Sequence, residues 1–595
     1  MERLLANLQS RRIDRIAAGY AVGGWLLVQA ASIAMPSFDA PPWAMRALII
    51  FVLTGFPCSL ALAWFVVPHL RPQGHGARRH VHLAALALFA GAAVFAVGCL
   101  AYQLSHSIAA SPPISSAQPV PASIAVLPFV NMSGDTSKEY FSDGISEELL
   151  NDLANIPALR VAARTSSFAF KGRNEDIKTI ARLLSVGAVL EGSMRESGAH
   201  LRITAQLIDA ASGYHLWSAI YDRNLTDVLV LQDEIARAIT GALTHRLLPA
   251  PAGPKPGKPR AMDAVAYRDF LQGQHDLGPR TEEGAESALV LFEKATARAP
   301  DFAEGFAALA RAAINLAEYH PERKDLMPAA EAALARALAL DPHCVSALAS
   351  RLDLALHKLD WPAAAADAKR LVAINAHSVN VQHEMFRYYQ LLGFPERALT
   401  AAQGAAVLDP LSFVDHLNVA AANIHLARFK DAADASRAAL ALVSDQPDVL
   451  ALLCTSEAHL GHLSEARILE TRLAHAPGAA LGCAFDIALG AHRVDEADAI
   501  MDRLARSFPQ GDLAATDIGD MYAVAGDSAK AVAWLTRAYD LKEFALFTVA
   551  YDRAIAPAFF AHPGWTALSG RPLFQAWHAA HDRLAEDLSG GGFAD

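Results

Sequence analysis

The sequence predicts a multidomain chain: an apolar front of three transmembrane helices, a mixed α/β domain, and a long all-α superhelix of paired helices. Three observations predict it. Apolar stretches long enough to span a bilayer recur three times before residue 104. A block of alternating strand and helix patterns lies between two Pro-rich linkers, and a 34-residue self-similarity runs through the part after residue 262. At 595 residues the chain exceeds what one hydrophobic core serves.

Residues 16–35, 47–67 and 83–102 each approach the roughly 20 apolar residues that a membrane-crossing helix needs. Their recurrence argues against a single cleaved signal peptide, and Pro57 is tolerated inside a span as a kink. Arg3, Arg11, Arg12 and Arg15 precede the first stretch, and Arg71, Arg78 and Arg79 lie between the second and third. Only Arg46 borders the other connection, and no Lys or Arg follows the third stretch until Lys138. Cations stay on the cytoplasmic side. The expectation is a bacterial inner-membrane protein with a cytoplasmic N-terminus and its bulk in the periplasm. The Ala-Val-Gly-Cys run ending at Cys99 reads as helix rather than as a lipoprotein cleavage box. His75, His80 and His82 read as a polar loop, since they lack Cys or carboxylate partners at ligand spacing.

Before residue 104 there are eight Lys/Arg and three Asp/Glu, so with −11 overall the remainder carries a net −16. An acidic body of this kind lacks the basic face that phosphate neutralisation needs, which excludes DNA and RNA as partners. Cys58, Cys99, Cys344, Cys454 and Cys483 form no CxxC pair. They read mainly as small core residues, with a bridge between Cys454 and Cys483 on adjacent repeats as the alternative.

Residues 104–121 and 248–261 are rich in Pro, Ala, Ser and Gly without apolar periodicity, as linkers are. The GPKPGK run in the second fails the phosphate-loop pattern in spacing and in its missing hydroxyl residue. The expected organisation is therefore a membrane domain at 1–103, an α/β domain at 122–247, repeats at 262–545, and a helical cap and tail at 546–595.

Within 122–247, residues 123–129 form a β-rich run followed by Gly/Asp/Ser turn material. Ser142-Asp143-Gly144 then reads as a helix start, with Asp143 or Ser142 capping and Glu147 and Glu148 suited to the positive helix end. Residues 159–163 predict a strand, 177–184 a helix, 188–196, 201–209 and 215–221 strands, and 226–247 a final amphipathic helix. The motifs AVLPF (125–129), SGD (133–135), EYFSDGISEEL (139–149), LRVAARTSSFAFKG (159–172), VLEGSMR (189–195), RITAQLIDA (202–210) and HLWSAIYDR (215–223) are met in order. Together they resemble the bacterial TolB-like, or FlgO-like, amino-terminal domain. That resemblance implies a periplasmic, envelope-associated module without established catalytic chemistry. Asp143, Glu147 and Glu148 stand close enough for acid–base work, but helix capping accounts for them. Arg164, Ser166, Ser167 and Lys171 are of the right types to cradle an anion, but without a Gly-rich loop they read as a structural or partner-facing loop.

From residue 262 the landmarks Pro300, Pro342, Ala376, Pro410, Pro477 and Pro509 recur, with two central intervals of 34 and a first interval of 42 that contains an insertion. Ala330, Ala364 and Ala398 share one register, where helices approach too closely for a larger side chain. Gly393, Gly461 and Gly526 are each followed five residues later by alanine. This resembles the tetratricopeptide repeat family, with poorly kept aromatic positions and six to eight repeats. The fold class predicted is thus three transmembrane helices, a mixed α/β TolB-like domain and a tetratricopeptide-type superhelix.

Stacked helix pairs present a concave surface lined by their first helices. Asn380, His383, Arg387 and Gln390 fall at i, i+3, i+7 and i+10 on one helical face, and the preceding repeat offers Asp353 and His357 in the matching register. These six residues are the candidate partner-binding set, with an ordinary solvated face as the plain alternative. HExxH, GxSxG, P-loop and dinucleotide patterns are absent, which disfavours an enzyme, and no metal or cofactor is expected. The expected function is a non-catalytic membrane-anchored scaffold that binds protein partners in envelope assembly or signalling. The alternative is a sensory subunit related to membrane-bound cyclases or winged-helix regulators. With about fifteen residues ahead of the first span, such a subunit acts through another membrane protein.

Overall fold

The computed structural model describes residues 123–590 apart from 157–158, 199, 248–261, 279–280, 321–322, 509–512, 544 and 550–555, together with Trp25, Gln29 and Val52. Residues 119–595 form one compact unit.

The unit opens with a six-stranded sheet. Its strands are β1 (Ser123–Val126), β2 (Val130–Asn131), β3 (Arg160–Val161), β4 (Ala188–Ser197), β5 (His200–Asp209) and β6 (His215–Asn224). The order is β3-β1-β4-β5-β6, with β2 beside β4. β1 lies parallel to β3 and β4, whereas β4, β5 and β6 form an antiparallel meander. Every residue of β1 is buried, because helices cover both faces of the sheet there. α1 (Glu139–Ala154) and α4 (Val228–Leu247) pack on one face. α2 (Arg164–Phe168) and α3 (Ile177–Leu183) belong to the other, where Ile180 and Leu184 meet Ala125 and Phe170.

The helix start read at Ser142-Asp143-Gly144 is corrected: α1 begins at Glu139, with Lys138 at its N-cap position. The three residues are instead buried inside the helix. Gly144 is required there because a Cβ would stand 2.8 Å from Leu271 of the first repeat helix, so the glycine marks a close crossing rather than a turn.

Among the described residues the helical body forms eight antiparallel pairs. They are α5 (Ala264–Leu277) with α6 (Glu282–Arg298), α7 (Ala303–Tyr319) with α8 (Leu326–Leu340), α9 (Val345–His357) with α10 (Trp361–Asn375), and α11 (Val379–Leu391) with α12 (Pro395–Leu408). Then follow α13 (Phe413–His425) with α14 (Phe429–Leu442), α15 (Pro447–His459) with α16 (Leu463–Arg472), α17 (Pro477–Gly490) with α18 (Val494–Ser507), and α19 (Ala515–Ala525) with α20 (Ser528–Leu541). The alanine register extends through the whole array: Ala288, Ala330, Ala364, Ala398, Ala432, Ala466, Ala497 and Ala531 are all buried at the pair crossings. Among the described residues, two short helices, α21 (Pro557–Phe560) and α22 (Pro563–Ser569), and the 18-residue α23 (Pro572–Ser589) follow.

The predicted fold class is corrected in one respect. Among the described residues no helix is long and apolar enough to cross a membrane. The described helices are amphipathic, each burying one stripe. Even the 20-residue α4 carries Asp233, Glu234, Arg237 and Arg246. The stretches 16–35, 47–67 and 83–102 lie outside the described residues except for Trp25, Gln29 and Val52. What is described is a mostly helical repeat body with a small sheet.

The α/β part and the repeats share a core. An aromatic ladder runs from Phe141 through Tyr267 and Phe270 to Phe302, with Phe270 and Phe302 edge-on at 4.8 Å. At a second seam α2 docks on the connection after α12: Ser166 donates from its backbone N (2.9 Å) and its Oγ (2.5 Å) to Asp409 Oδ1. Ser166 Oγ also accepts from Leu411 N at 2.9 Å. The chain's end returns to the middle repeats. Trp577 Nε1 donates to Leu391 O at 2.7 Å, Trp361 meets Phe547 edge-on at 5.2 Å, and Lys369 pairs with Asp587 at 2.6 Å.

Candidate functional site

The first helices of the pairs, α7, α9, α11, α13, α15, α17 and α19, carry one register of residues; α7 packs beside α9, α9 beside α11, α13 beside α15 and α15 beside α17, and His383 with Asp415 joins α11 to α13. That register holds Arg311, Asp353, Arg387, Ala421, Thr455, Asp486 and Asp520, each the same distance ahead of its turn from α9 onward. Asp353 and Arg387 form an ion pair between α9 and α11, and His357 Nδ1 lies 3.4 Å from Asp353 Oδ1. Burial pushes the Asp353 carboxyl up, but hydrogen bonding from His357 and the Arg387 charge outweigh it and hold the carboxyl below its ordinary value. The hydrogen bond to Asp353 raises His357 in turn.

His383, one turn earlier on α11, pairs with the fully buried Asp415 of α13. Burial lowers the imidazole's affinity for a proton, but the Asp415 contact prevails and raises it. Asn380 is exposed in the first turn of α11 and Gln390 is half-buried in the last, so they sit at the two ends of this row. Of the six residues singled out from sequence, the structure thus joins Asp353, His357 and Arg387 into one ionic group and gives His383 a separate partner.

Three features of this face were not read from the sequence. Glu384, between the two ionic groups, has a buried Oε2 without a hydrogen-bond partner, and burial with the Asp353 charge pushes its carboxyl up to about 7. Thr455 donates to Asp486 Oδ2 at 2.5 Å, and burial nevertheless pushes Asp486 up to about 6. Beside Asp353 and His357 lies a cavity of about 260 Å³, floored by Ile314, Ala317 and Leu354 and edged by His320, Arg323 and Lys324. Its edge comes from the insertion that widened the first interval to 42 residues. The register that carries Thr455 and Asp486 was present in the sequence as a period. Glu384 and Asp415 fall outside that period and only the packing shows them.

The carboxylates of α1 do not form an acid–base pair. Glu147 accepts from Arg164 Nε at 2.6 Å and Asp143 from Lys171 Nζ at 2.6 Å, so each faces a cation, Lys171 being shared with Glu139 at 2.9 Å. Arg164, Ser166 and Lys171 are thereby consumed by the structure. The bridge weighed for Cys454 and Cys483 is formed, joining α15 to α17 with the Cα atoms 5.7 Å apart. Cys344 is buried and free.

The antiparallel pairing, the 34-residue period and the buried alanine register settle the architecture. The helical body is an array of antiparallel helix pairs with the period and the close crossings that the repeat reading expects. No protein-family model matches the chain. A curated relative, Putative adenylate cyclase 3 of Rhizobium meliloti (strain 1021), is 50% identical over 141 residues, which is 24% of this chain and 24% of that protein. Solved structures similar to this chain include pilF of Pseudomonas aeruginosa (18% identity, 34% of this chain and 94% of that one, TM-score 0.29). A thermophilic TPR protein of Thermus thermophilus matches at 20% identity over 36% of this chain and 92% of that one, with a TM-score of 0.20. Yeast Tom70 matches at 13% identity over 74% and 84%, with a TM-score of 0.30. At these scores the likenesses carry no functional argument.

Proposed function

We propose that this protein is a non-catalytic scaffold that holds an extended segment of a protein partner along the stripe on its first helices, in envelope assembly or signalling. The observation that carries the reading is the stripe itself. Polar and titratable side chains occupy six of the seven places of one register across the first helices, Ala421 being the exception, on the face that in arrays of this type is concave and open to ligands. The TolB-like resemblance of the α/β part supports an envelope role. The Cys454–Cys483 bridge supports a working location in an oxidising compartment such as the periplasm.

Two measurements test this. A photo-crosslinker placed at Ala421, on the stripe, is expected to capture partner protein in cells, and one at the exposed Val407 of α12 is not. Equal capture at both positions overturns the reading. Thiol trapping in intact cells is expected to find Cys454 and Cys483 blocked, and two free thiols there exclude the oxidising compartment.

The relative named a putative adenylate cyclase favours a second reading. In it the 141 shared residues form a module that also works beside a cyclase, and this chain is the sensory part of such a system acting through another protein. Deletion of the gene that leaves cyclic-nucleotide responses unchanged removes this alternative.

A further inference from the structure

We propose a divalent-metal site of the zinc class at Glu282, Glu286 and His320, where the enlarged second pair meets the first. Glu282 and Glu286 stand i, i+4 at the start of α6, so their carboxylates leave the same face of the helix. His320 is the C-cap residue of α7. One donor atom from each of the three lies within 4.8 Å of the other two, and His320 Nε2 is 3.0 Å from Glu282 Oε1.

The enlarged pair is what brings the imidazole there. α7 has 17 residues where α9 and α11 have 13. At about 1.5 Å per residue the extra turn carries the helix end roughly 6 Å farther along α6. Zinc takes imidazole nitrogen and carboxylate oxygen at about 2.0–2.2 Å, which puts tetrahedral donors about 3.3–3.6 Å apart. The donors therefore need to close by on the order of 1 Å, a movement within the rotamer freedom of two exposed glutamates.

The surroundings are consistent with an ion. Arg323, on the following loop, donates to Asp325 at 2.7 Å and acts on Glu286 through its charge. Three protein ligands leave one tetrahedral position open, the arrangement that lets an ion accept an outside ligand. His320 also lines the 260 Å³ cavity beside Asp353 and His357, so the ion would stand next to the candidate partner groove. This inference does not depend on the scaffold reading.

The test is isothermal titration of the chelator-treated full chain with zinc chloride at pH 7, in wild type, Glu286→Gln, His320→Ala and Glu283→Gln. The expected result is one zinc per chain that is lost, or weakened at least about tenfold, in Glu286→Gln and His320→Ala and kept in Glu283→Gln. Circular dichroism matching wild type in each variant confirms that the fold is unchanged. The site is overturned if wild type binds no zinc, or if either Glu286→Gln or His320→Ala binds with wild-type stoichiometry and affinity.

Discussion

Glu148 holds its proton into neutral solution because α1 presses it against α5, where burial pushes its carboxyl up to about 8 and Asp152, Glu147 and Glu304 add like charge. Gln274 Nε2 donates to its Oε1 at 3.0 Å, a bond that offsets only part of this cost. In the unfolded chain the same group titrates near 4.5. Between those values the folded state binds a proton that the unfolded state does not, so this residue's effect on stability worsens as pH rises through that window. Glu148→Gln keeps the shape and the acceptor oxygen while removing the titration. The variant is expected to match wild type at pH 4.5 and to exceed it by on the order of 1–3 kcal/mol at pH 8. Urea unfolding at the two pH values checks this, and an equal gap at both would mean that Glu148 is charged in the fold. From the sequence the residue looked like a partner of the helix dipole, because nothing local shows that α5 will bury it.

At the scale of the element, the turn inside each pair repeats one backbone conformation. Leu359, Gly393, Ala427, Gly461, His492 and Gly526 occupy the same place in six successive pairs, and all six have positive φ between 55° and 89°. Three glycines made the register legible in the sequence. Leucine, alanine and histidine at the other three places hid it, since nothing about those side chains announces a left-handed turn. The backbone is forced there because α9, α13 and α17 must reverse as sharply as their glycine-bearing neighbours. A non-glycine residue in this region costs about 1 kcal/mol, partly offset by glycine's greater freedom when unfolded. Ala427→Gly is therefore expected to stabilise by about 0.5 kcal/mol. Gly393→Ala is expected to destabilise by about 1–2 kcal/mol, since its Cβ would also meet Trp577 and His581 at 3.3 Å. Denaturant titration of both variants checks the pair, and a loss in Ala427→Gly would refute the strain.

Over the whole molecule the array is closed by contacts between distant parts of the chain. The C-terminal helices clasp the turn after α11 through Trp577, whose ring packs with Phe547 and Phe574 while its N–H is satisfied by Leu391. Trp577→Ala removes a large buried side chain and orphans a carbonyl, so the expected loss is about 3–5 kcal/mol. Hydrogen exchange is expected to quicken both in α23 and in α10–α12. Protection lost in α23 alone would mean that the clasp supports only the tail. Reduction of the Cys454–Cys483 bridge, which spans a separation of 29 residues, is expected to lower stability by about 2–4 kcal/mol, read as a fall in melting temperature on adding reductant.

The sequence by itself determined most strands and helices of the α/β part, though not β2, α2 or the start of α1, together with the helix-pair period and the small-residue register that sets how closely the helices pack. Each of these depends on local periodicity: alternation in β4 and β5, a 34-residue repeat, alanine wherever one helix crosses another. It also determined the stripe that carries Asp353 and Arg387, because a period fixes which side chains share a face. Only the tertiary structure decided which residues are partners. Asp409 meets Ser166 from 243 positions away, and Trp577 meets Leu391 from 186. Asp143 becomes a buried ion-pair partner of Lys171 instead of a cap, and Glu384 is left with a buried oxygen unpaired. Such contacts join surfaces whose patterns are separately ordinary, and the physical reason they form is that burying those surfaces together removes more apolar area from water than either can bury alone.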